Sequence, residues 1–438
     1  MSTIVKRGLY TLIFILVVVG VGFLNQVSIM TWLASKGAMK FISTIAEPIL
    51  PTQQVDWASA EPGTGSNSEE LPNIIIILAD DLGWNDISFY GGGLGNGAVQ
   101  TPNIDRIAAE GVHFSNGYAG NATCAPSRAA LLTGRYPTRY GFEFTPAPAS
   151  LMSLVATFDS HREQLHPGYF LEENLSDFPP LEDQGVPTTE ILLPEILASK
   201  DYHSILLGKW HLGESEGYTP NDRGFDEFLG FLAGGAMFAE YDDPAMIKSI
   251  QEFDGIDQFL WPNLTFAVRY NKEQRFKPDE YMTDYLSHQA VRAIEANKDR
   301  PFFMYLSYNA PHTPLHAMKS DYDSLSMIES HTERVYGAMM LSLDRGIGKV
   351  IDAVEAAGIS DNTLIIFSSD NGGADYVGLP NLNAPYRGWK MTFFEGGTHV
   401  PFFMRWPNRI EAGTKYQRPV THIDIFSTIA AAANVNVP

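Results

Sequence analysis

The chain has 438 residues, 45% hydrophobic and 18% charged, a balance that suits a folded protein with a sizeable core and excludes a disordered one. Its formal net charge of −21 excludes a nucleic-acid binder, because tracking phosphates needs a basic surface. Any anionic ligand must be held by a local cationic pocket working against the global field.

Lys6 and Arg7 precede an uncharged run from Gly8 to Ser35, most apolar between Leu9 and Leu24. A signal-peptide core is about 7–15 residues long and a membrane-spanning helix about 20. The run therefore reads as an uncleaved signal anchor within an N-terminal region 1–49, with a cleaved signal peptide as the alternative. No clear A-x-A cleavage site follows it, and Lys36 and Lys40 on its far side weaken the positive-inside argument for orientation. Both readings put the body outside the cytoplasm, in the periplasm or secretory route. Residues 50–72, rich in Pro, Gly, Ser and Glu, read as a linker. Residues 73–438 form the remaining domain.

The run 73-NIIIIL-78 has the continuous β-branched character of a strand buried on both faces. Similar runs recur at 203–208, 301–307, 363–369 and 400–404, with helical patterns at 103–111, 188–199, 283–298, 331–358 and 423–434. This alternation predicts an α/β fold with a mostly parallel central sheet sandwiched by helices. Ligands of such sheets bind beyond the carboxyl ends of the strands. Two Pro-rich, aromatic stretches, 142–187 and 235–280, break the alternation and read as excursions over that active face.

The first strand runs into Asp80 and Asp81, and the strand 363–369 into Asp370 and Asn371. Strand-end carboxylates are often helix caps or solvated turns. Two such pairs, offering only oxygen, suit a hard divalent cation, Ca²⁺ or Mg²⁺. Lys209 and His211 follow the strand 203–208, His312 follows 301–307, and Lys390 precedes 400–404. A lone lysine or histidine in a loop is ordinarily a surface or core residue. Here all four converge on the rim that carries the carboxylates, as the hydrolysis of an anionic ester would require.

The only cysteine, Cys124, stands in 121-NATCAPSRAALLTGR-135. Pro126 suits a first helical turn, which predicts a helix over 126–134 with Cys124 at its N-terminal edge. The tyrosine-phosphatase pattern fails, because Ala130 occupies the position its arginine needs. The stretch 346-GIGKV-350 is not a P-loop, and 93-GLGNGA-98 follows no clean strand and is a poor nucleotide site. Sequons stand at Asn121, Asn174 and Asn263, the first too near the cysteine for a glycan to be expected there.

Cys124, Pro126, Ser127, Arg128, Leu131, Leu132, Thr133, Gly134 and Arg135 match C-x-P-S-R-x-x-L-L-T-G-R in full. With 78-LADDLGWND-86, 101-TPNIDRIAAEG-111, 208-GKWHLG-213, 222-DRGFDEFLG-230, 369-SDNGG-373 and the Lys390–Glu395-Gly396-Gly397 spacing, the chain resembles the type I, formylglycine-dependent sulfatases of the alkaline-phosphatase superfamily over roughly 73–434. The resemblance implies that a separate maturation enzyme oxidises Cys124 to Cα-formylglycine, whose hydrate is the nucleophile. It implies a Ca²⁺ held by Asp80, Asp81, Asp370, Asn371 and the Cys124-derived diol. Arg128 would steady the diol oxyanion, and Lys209 and Lys390 would clamp the sulfate. His312, with Lys390, would protonate the leaving alcohol, and His211 would assist sulfate release. The implied activity is hydrolysis of a sulfated carbohydrate or aryl sulfate. A phosphonate or phosphate ester hydrolase is the alternative, and an inactive membrane-anchored binding protein a further one.

Two departures stand out. His399 occupies the arginine position of E-G-G-x-R-V-P, and the chain stops at Pro438, where a small antiparallel C-terminal subdomain is expected to be missing or shortened.

Overall fold

The computed structural model describes residues 37–60, 71–160, 169–171, 173 and 178–437. The apolar run from Gly8 to Ser35 and the sequon at Asn174 lie outside the described residues. No helix among those described is long and apolar enough to cross a membrane.

The strands are β1 (Asn73–Asp80), β2 (Val112–Phe114), β3 (Gly117–Tyr118), β4 (His203–Lys209), β5 (Glu227–Phe231), β6 (Met246–Ser249), β7 (Arg269–Tyr270), β8 (Phe302–Pro311), β9 (Leu315–Met318), β10 (Thr363–Ser369), β11 (Phe402–Arg405), β12 (Thr414–Tyr416) and β13 (Val420–Thr421). Nine of them make one sheet in the order β12-β2-β11-β10-β1-β8-β4-β5-β7. The central five, β10-β1-β8-β4-β5, are mutually parallel, and β11 and β7 flank them antiparallel. The predicted α/β sheet is therefore present. Its edge strands went unpredicted because two- or three-residue strands are too short to show a period.

The isoleucine run of β1 alternates between two cores. Ile75, Ile77 and Ala79 pack with α1 (Pro102–Ala109) and with the helices Met282–Asn297 and His331–Ala356. Ile74, Ile76 and Leu78 face the opposite layer, built on α2 (Cys124–Thr133) and the helix His422–Ala432. Burial on both faces is why the run is apolar without interruption. The helix predicted over 188–199 shrinks to Leu193–Leu197, because Pro194 lacks an amide hydrogen and fits only a first turn.

Residues 50–60 lie against the body. Val55 and Trp57 are buried, Trp57 Nε1 donates to Gln289 Oε1 at 3.1 Å, and the Ala58 amide donates to Glu227 Oε1 at 3.0 Å. The helices Ala149–Ser160 and Gly255–Asn263, one from each excursion, touch each other. The second excursion also supplies β6, which pairs antiparallel with β9 just beyond His312.

Candidate active site

Parallel register assembles the site. β1 pairs with β10 from Asn73↔Thr363 to Ala79↔Ser369, so Asp80 and Asp81 emerge beside Asp370 and Asn371. On the other side Leu78 pairs with Ser307 but Asp80 with Pro311, four steps along β8 against two along β1. This bulge carries the chain over the end of β1 and delivers His312 to it. β4 brings Lys209 and His211 to the same rim.

Cys124 is the first residue of α2, one position after the extended Thr123. The predicted helix thus starts two residues earlier, with Cys124 inside its first turn. Asn121 Oδ1 accepts from the Thr123 amide at 3.2 Å and from Thr123 Oγ1 at 3.0 Å, so this sequon is folded inward. At the other end Gly134 takes a left-handed conformation, φ 65°, where a Cβ would lie 2.6 Å from Phe426. Glycine closes the helix there for two reasons.

Cys124 Sγ lies 3.7 Å from Asp81 Oδ1. Arg128, one turn along α2, is fully buried and ties three strand ends together. Its Nε donates to Asp370 Oδ2 at 2.8 Å and its Nη1 to the Lys209 carbonyl at 3.2 Å and to Ser307 Oγ. Lys209 Nζ donates to Asp80 Oδ2 at 2.6 Å. Lys390 Nζ donates to Asp81 Oδ2 at 2.8 Å and lies 3.2 Å from His312 Nε2. Asn371 Nδ2 donates to Asp81 Oδ1 at 2.8 Å, and the Asp81 amide to Asp370 Oδ1 at 3.1 Å. Every residue singled out from the sequence therefore lies in one cluster, although His211 makes no direct bond within it. Both His211 ring nitrogens are buried without a partner, and a Cβ on Gly234 would lie 2.7 Å from Nε2.

Charge explains the protonation of the cluster. Burial alone would raise Asp80 and Asp81, but the cations around them outweigh it and hold both carboxyls below the ordinary range. For Asp80 the leading cation is Lys209, and for Asp81 it is Lys390. Burial, then repulsion from Asp80, pushes Asp370 up. Burial likewise drives the Cys124 thiol far above its usual value, so the unmodified sulfur is not a thiolate at neutral pH. Burial and then Lys209 push His211 far down, and burial lowers His312, so neither ring carries charge near pH 7.

A hard cation fits this donor set. Ligand atoms of Asp80, Asp81, Cys124 and His312 lie within 4.8 Å of one another, while Asp370, predicted with them, accepts from the Asp81 amide and Arg128. Asp80 Oδ1 and Asn371 Oδ1 are buried oxygens without a hydrogen-bond partner. Such atoms are costly unless something satisfies them. Three carboxyl groups (Asp80, Asp81, Asp370) here face three basic side chains (Arg128, Lys209, Lys390). A divalent ion added to that balance leaves the pocket positive, as an anionic substrate needs in a chain of net charge −21.

Three of the seven described non-glycine residues with positive φ lie at the site. Asp81 (φ 62°), His211 (φ 64°) and Met391 (φ 72°) all adopt the left-handed region that non-glycine residues seldom enter. Met391 belongs to a turn whose amide donates to the Ala122 carbonyl at 2.7 Å, with Lys390 pointing inward. Trp389, Phe393 and Phe394 from the same turn are exposed, Phe393 by 77%. The Arg387 guanidinium sits 4.2 Å from the Phe394 ring centroid.

Sequence reasoning missed Tyr376. This buried tyrosine donates to Asp81 Oδ2 at 2.8 Å, and Lys390 Nζ donates to its hydroxyl at 2.8 Å. It follows no strand directly, so the strand-end rule could not find it. Ser307 and His422 were missed too. His422, buried, lies 3.2 Å from Ser127 Oγ and 3.0 Å from Ser368 Oγ, bracing α2 from below.

The open question of His399 has a structural answer. Its Nδ1 lies 2.7 Å from Glu395 Oε2, and its ring packs against Tyr118, Tyr386 and Trp84 at centroid distances of 4.7, 4.4 and 4.4 Å. It belongs to an aromatic box beside the site. In 93-GLGNGA-98 the Gly95 amide is already taken by Glu333 Oε1 at 2.8 Å, which argues against a nucleotide there.

Comparison with known proteins agrees with the geometry. The Sulfatase family model matches residues 72–435. Human N-acetylgalactosamine-6-sulfatase is 32% identical over 380 residues, covering 85% of this chain and 64% of that protein. Human steryl-sulfatase is 30% identical, covering 85% and 68%. The chain thus spans about two thirds of the length of these relatives. Among solved structures, Ps i-CgsB in complex with k-i-k-neocarrahexaose aligns with a TM-score of 0.67 and 35% identity, over 84% of this chain and 73% of that one. A Bacteroides thetaiotaomicron structure, BT33336S-sulf, aligns at 0.60 with 26% identity, over 84% and 78%. A family match over most of the chain, joined to a complete signature around Cys124, makes this protein a member of the sulfatase family, within the alkaline-phosphatase-like superfamily.

Proposed function

We propose that the protein hydrolyses sulfate esters of a carbohydrate, using a formylglycine made from Cys124 by a separate maturation enzyme. The observation that carries this reading is the setting of Cys124. Its sulfur is buried and protonated, useless as a thiol nucleophile, yet it lies 3.7 Å from Asp81 among converging cations. The matured residue supplies a hydrated aldehyde as nucleophile, and a cation at Asp80, Asp81, Asp370 and Asn371 supplies Lewis-acid stabilisation. Ca²⁺ suits the all-oxygen set, and Mg²⁺ is the second choice.

The chain's own residues do the rest. Lys209 binds the sulfate oxygens, Lys390 stands with His312 on the leaving-group side, and Arg128 holds Asp370 and the residue-124 end of α2 in register. His312 Nδ1 donates to the Thr313 carbonyl at 2.5 Å, which leaves Nε2 as the proton-handling nitrogen facing Lys390. His211, bare and uncharged, is the base for sulfate release. The exposed rings of Trp389, Phe393 and Phe394 at the mouth suit stacking against a sugar face, with Arg387 for a further anionic group. The carbohydrate-directed relative and the structure solved with a neocarrahexaose support the same substrate class. The run Gly8–Ser35 would carry the body out of the cytoplasm and anchor it to a membrane.

The test has two parts. Peptide mass spectrometry from the native host should find residue 124 about 18 Da lighter than cysteine, the loss expected for an aldehyde in place of a thiol. Turnover of sulfated oligosaccharides and 4-nitrophenyl sulfate should exceed that of the phosphate and phosphonate analogues. An unmodified thiol, or a preference for the phosphorus esters, would overturn the reading.

A further inference from the structure

Tyr376 stands apart from the other buried tyrosines. The hydroxyl of Tyr285 has no partner among the described residues, that of Tyr308 meets only Ser287, and that of Tyr336 donates to Asp86 Oδ2 and lies 3.4 Å from the Asp81 carbonyl. The Tyr376 hydroxyl instead joins two residues of the site, donating to Asp81 Oδ2 and accepting from Lys390 Nζ, both at 2.8 Å. With His312 Nε2 at 3.2 Å, these are three partners for the three N–H bonds of the Lys390 ammonium. The direction of the lysine is therefore fully specified, and one of its three guides is a phenol. The ring is held as firmly. It stands edge-on to the His312 ring, centroids 6.4 Å apart, within the short turn Asp375–Val377. Gly378 closes that turn, and a Cβ there would lie 3.0 Å from the Phe253 ring of the second excursion.

We propose that Tyr376 is a positioning residue that aims the Lys390–His312 pair at the leaving oxygen, and thereby sets which sulfate esters the site can cleave. The proposal rests on the sulfate-ester reading above. As the incoming oxygen nucleophile bonds to sulfur, the bond from sulfur to the leaving oxygen breaks and its electron pair stays on the leaving oxygen. A proton from the Lys390–His312 pair turns the oxygen into a neutral alcohol, and the water that completes hydrolysis returns that proton. A nitrophenolate leaves without this help, whereas a sugar alkoxide does not. Phe253 of the second excursion lies beside Gly378, so that excursion runs close to the turn that carries Tyr376.

The test is Tyr376→Phe in the matured full chain, which keeps the ring and removes only the hydroxyl. Turnover is compared for a sulfated sugar and for 4-nitrophenyl sulfate, with thermal unfolding and calorimetric Ca²⁺ affinity alongside. The expected result is a loss in kcat on the sugar ester at least about tenfold larger than on the aryl ester, with KM, unfolding midpoint and Ca²⁺ affinity little changed. Equal losses on both esters would overturn the proposal. So would a Ca²⁺ affinity weakened about tenfold or more, which would make the tyrosine a prop for Asp81 alone. Should the wild-type protein prefer phosphonate esters, the sulfate reading fails by itself. The same pair of leaving groups on phosphonates then decides the role of Tyr376.

Discussion

The strand β4 carries a histidine near each end, and the two live under opposite rules. His203, at the amino end, has Nε2 2.7 Å from Glu227 Oε2, and Glu227 also receives the Ala58 amide and the Tyr270 hydroxyl. His211, beyond the carboxyl end, is more deeply buried yet has no partner on either nitrogen. The same contrast holds across the sheet. At the amino end Glu227 gathers His203, Tyr270 and the Ala58 amide and fastens residues 50–60 to the body, although Ser204 Oγ is buried without a partner among the described residues. At the carboxyl end buried oxygens of Asp80 and Asn371 have no partner among the described residues. Buried polar groups that fold without partners cost stability, and they persist where a ligand is to supply the missing contact. The Glu227 hub is complete as folded, and the Asp80–Asn371 cluster is built to be completed.

The strongest way to break this comparison is at Cys124. Cys124→Ala should lower kcat at least about a thousandfold, because no other residue replaces the nucleophile. Its unfolding midpoint should stay within a few degrees of wild type, since one small buried atom is lost. Sulfatase assay and thermal unfolding of one preparation check both. A retained rate would disconnect the carboxyl-end cluster from the chemistry.

The amino end should behave in reverse. Glu227→Ala strips the acceptor shared by His203, Tyr270 and Ala58, and should cost about 2 kcal/mol in denaturant unfolding while leaving kcat intact. An equal fall in activity would mean that the two ends are coupled.

The smallest effect sharpens the boundary between them. Asp86 lies just past Asp81, outside the cation cluster, with its Oδ1 buried and without a partner among the described residues. Its Oδ2 accepts from the Gly83 amide at 2.6 Å and from Tyr336 at 2.7 Å, and burial pushes its carboxyl up from 3.8 to about 8. Between those values the folded state holds a proton that the unfolded state has released. Asp86 therefore makes stability fall as pH rises through this window. Asp86→Asn should flatten that slope, by up to about 1 kcal/mol per pH unit, with little change in turnover. Denaturant unfolding at several pH values measures it, and an unchanged slope would mean that the carboxyl is ionised in the fold.

Much of the site was legible because its residues stand at strand ends or in a contiguous signature. Asp80, Asp81, Lys209, Asp370 and Asn371 come at the ends of apolar runs and His312 a few residues beyond one, where an α/β sheet gathers its ligands. Tyr376 was not legible, because a tyrosine in a loop carries no period, and only the folded turn brings it to Lys390. His399 was visible as a departure but not interpretable. Its role depends on Tyr118, Trp84 and Tyr386, the first two distant in the chain. The hold on residues 50–60 was equally hidden, since Trp57 answers to Gln289 and Tyr270 more than two hundred residues away.

Local chemistry determined the elements and their ends. A β-branched run must be buried on both faces, a proline and a left-handed glycine delimit helices, and charge begins where the strand stops. Those preferences act over a few residues and can be read in order. Tertiary structure decided which groups meet and in what state. Parallel register sets Asp80 beside Asp370, the β8 bulge swings His312 over them, and the turn at Met391 directs Lys390 inward. Protonation follows from that meeting, because burial and neighbouring charge are properties of the assembled cluster and of no residue alone.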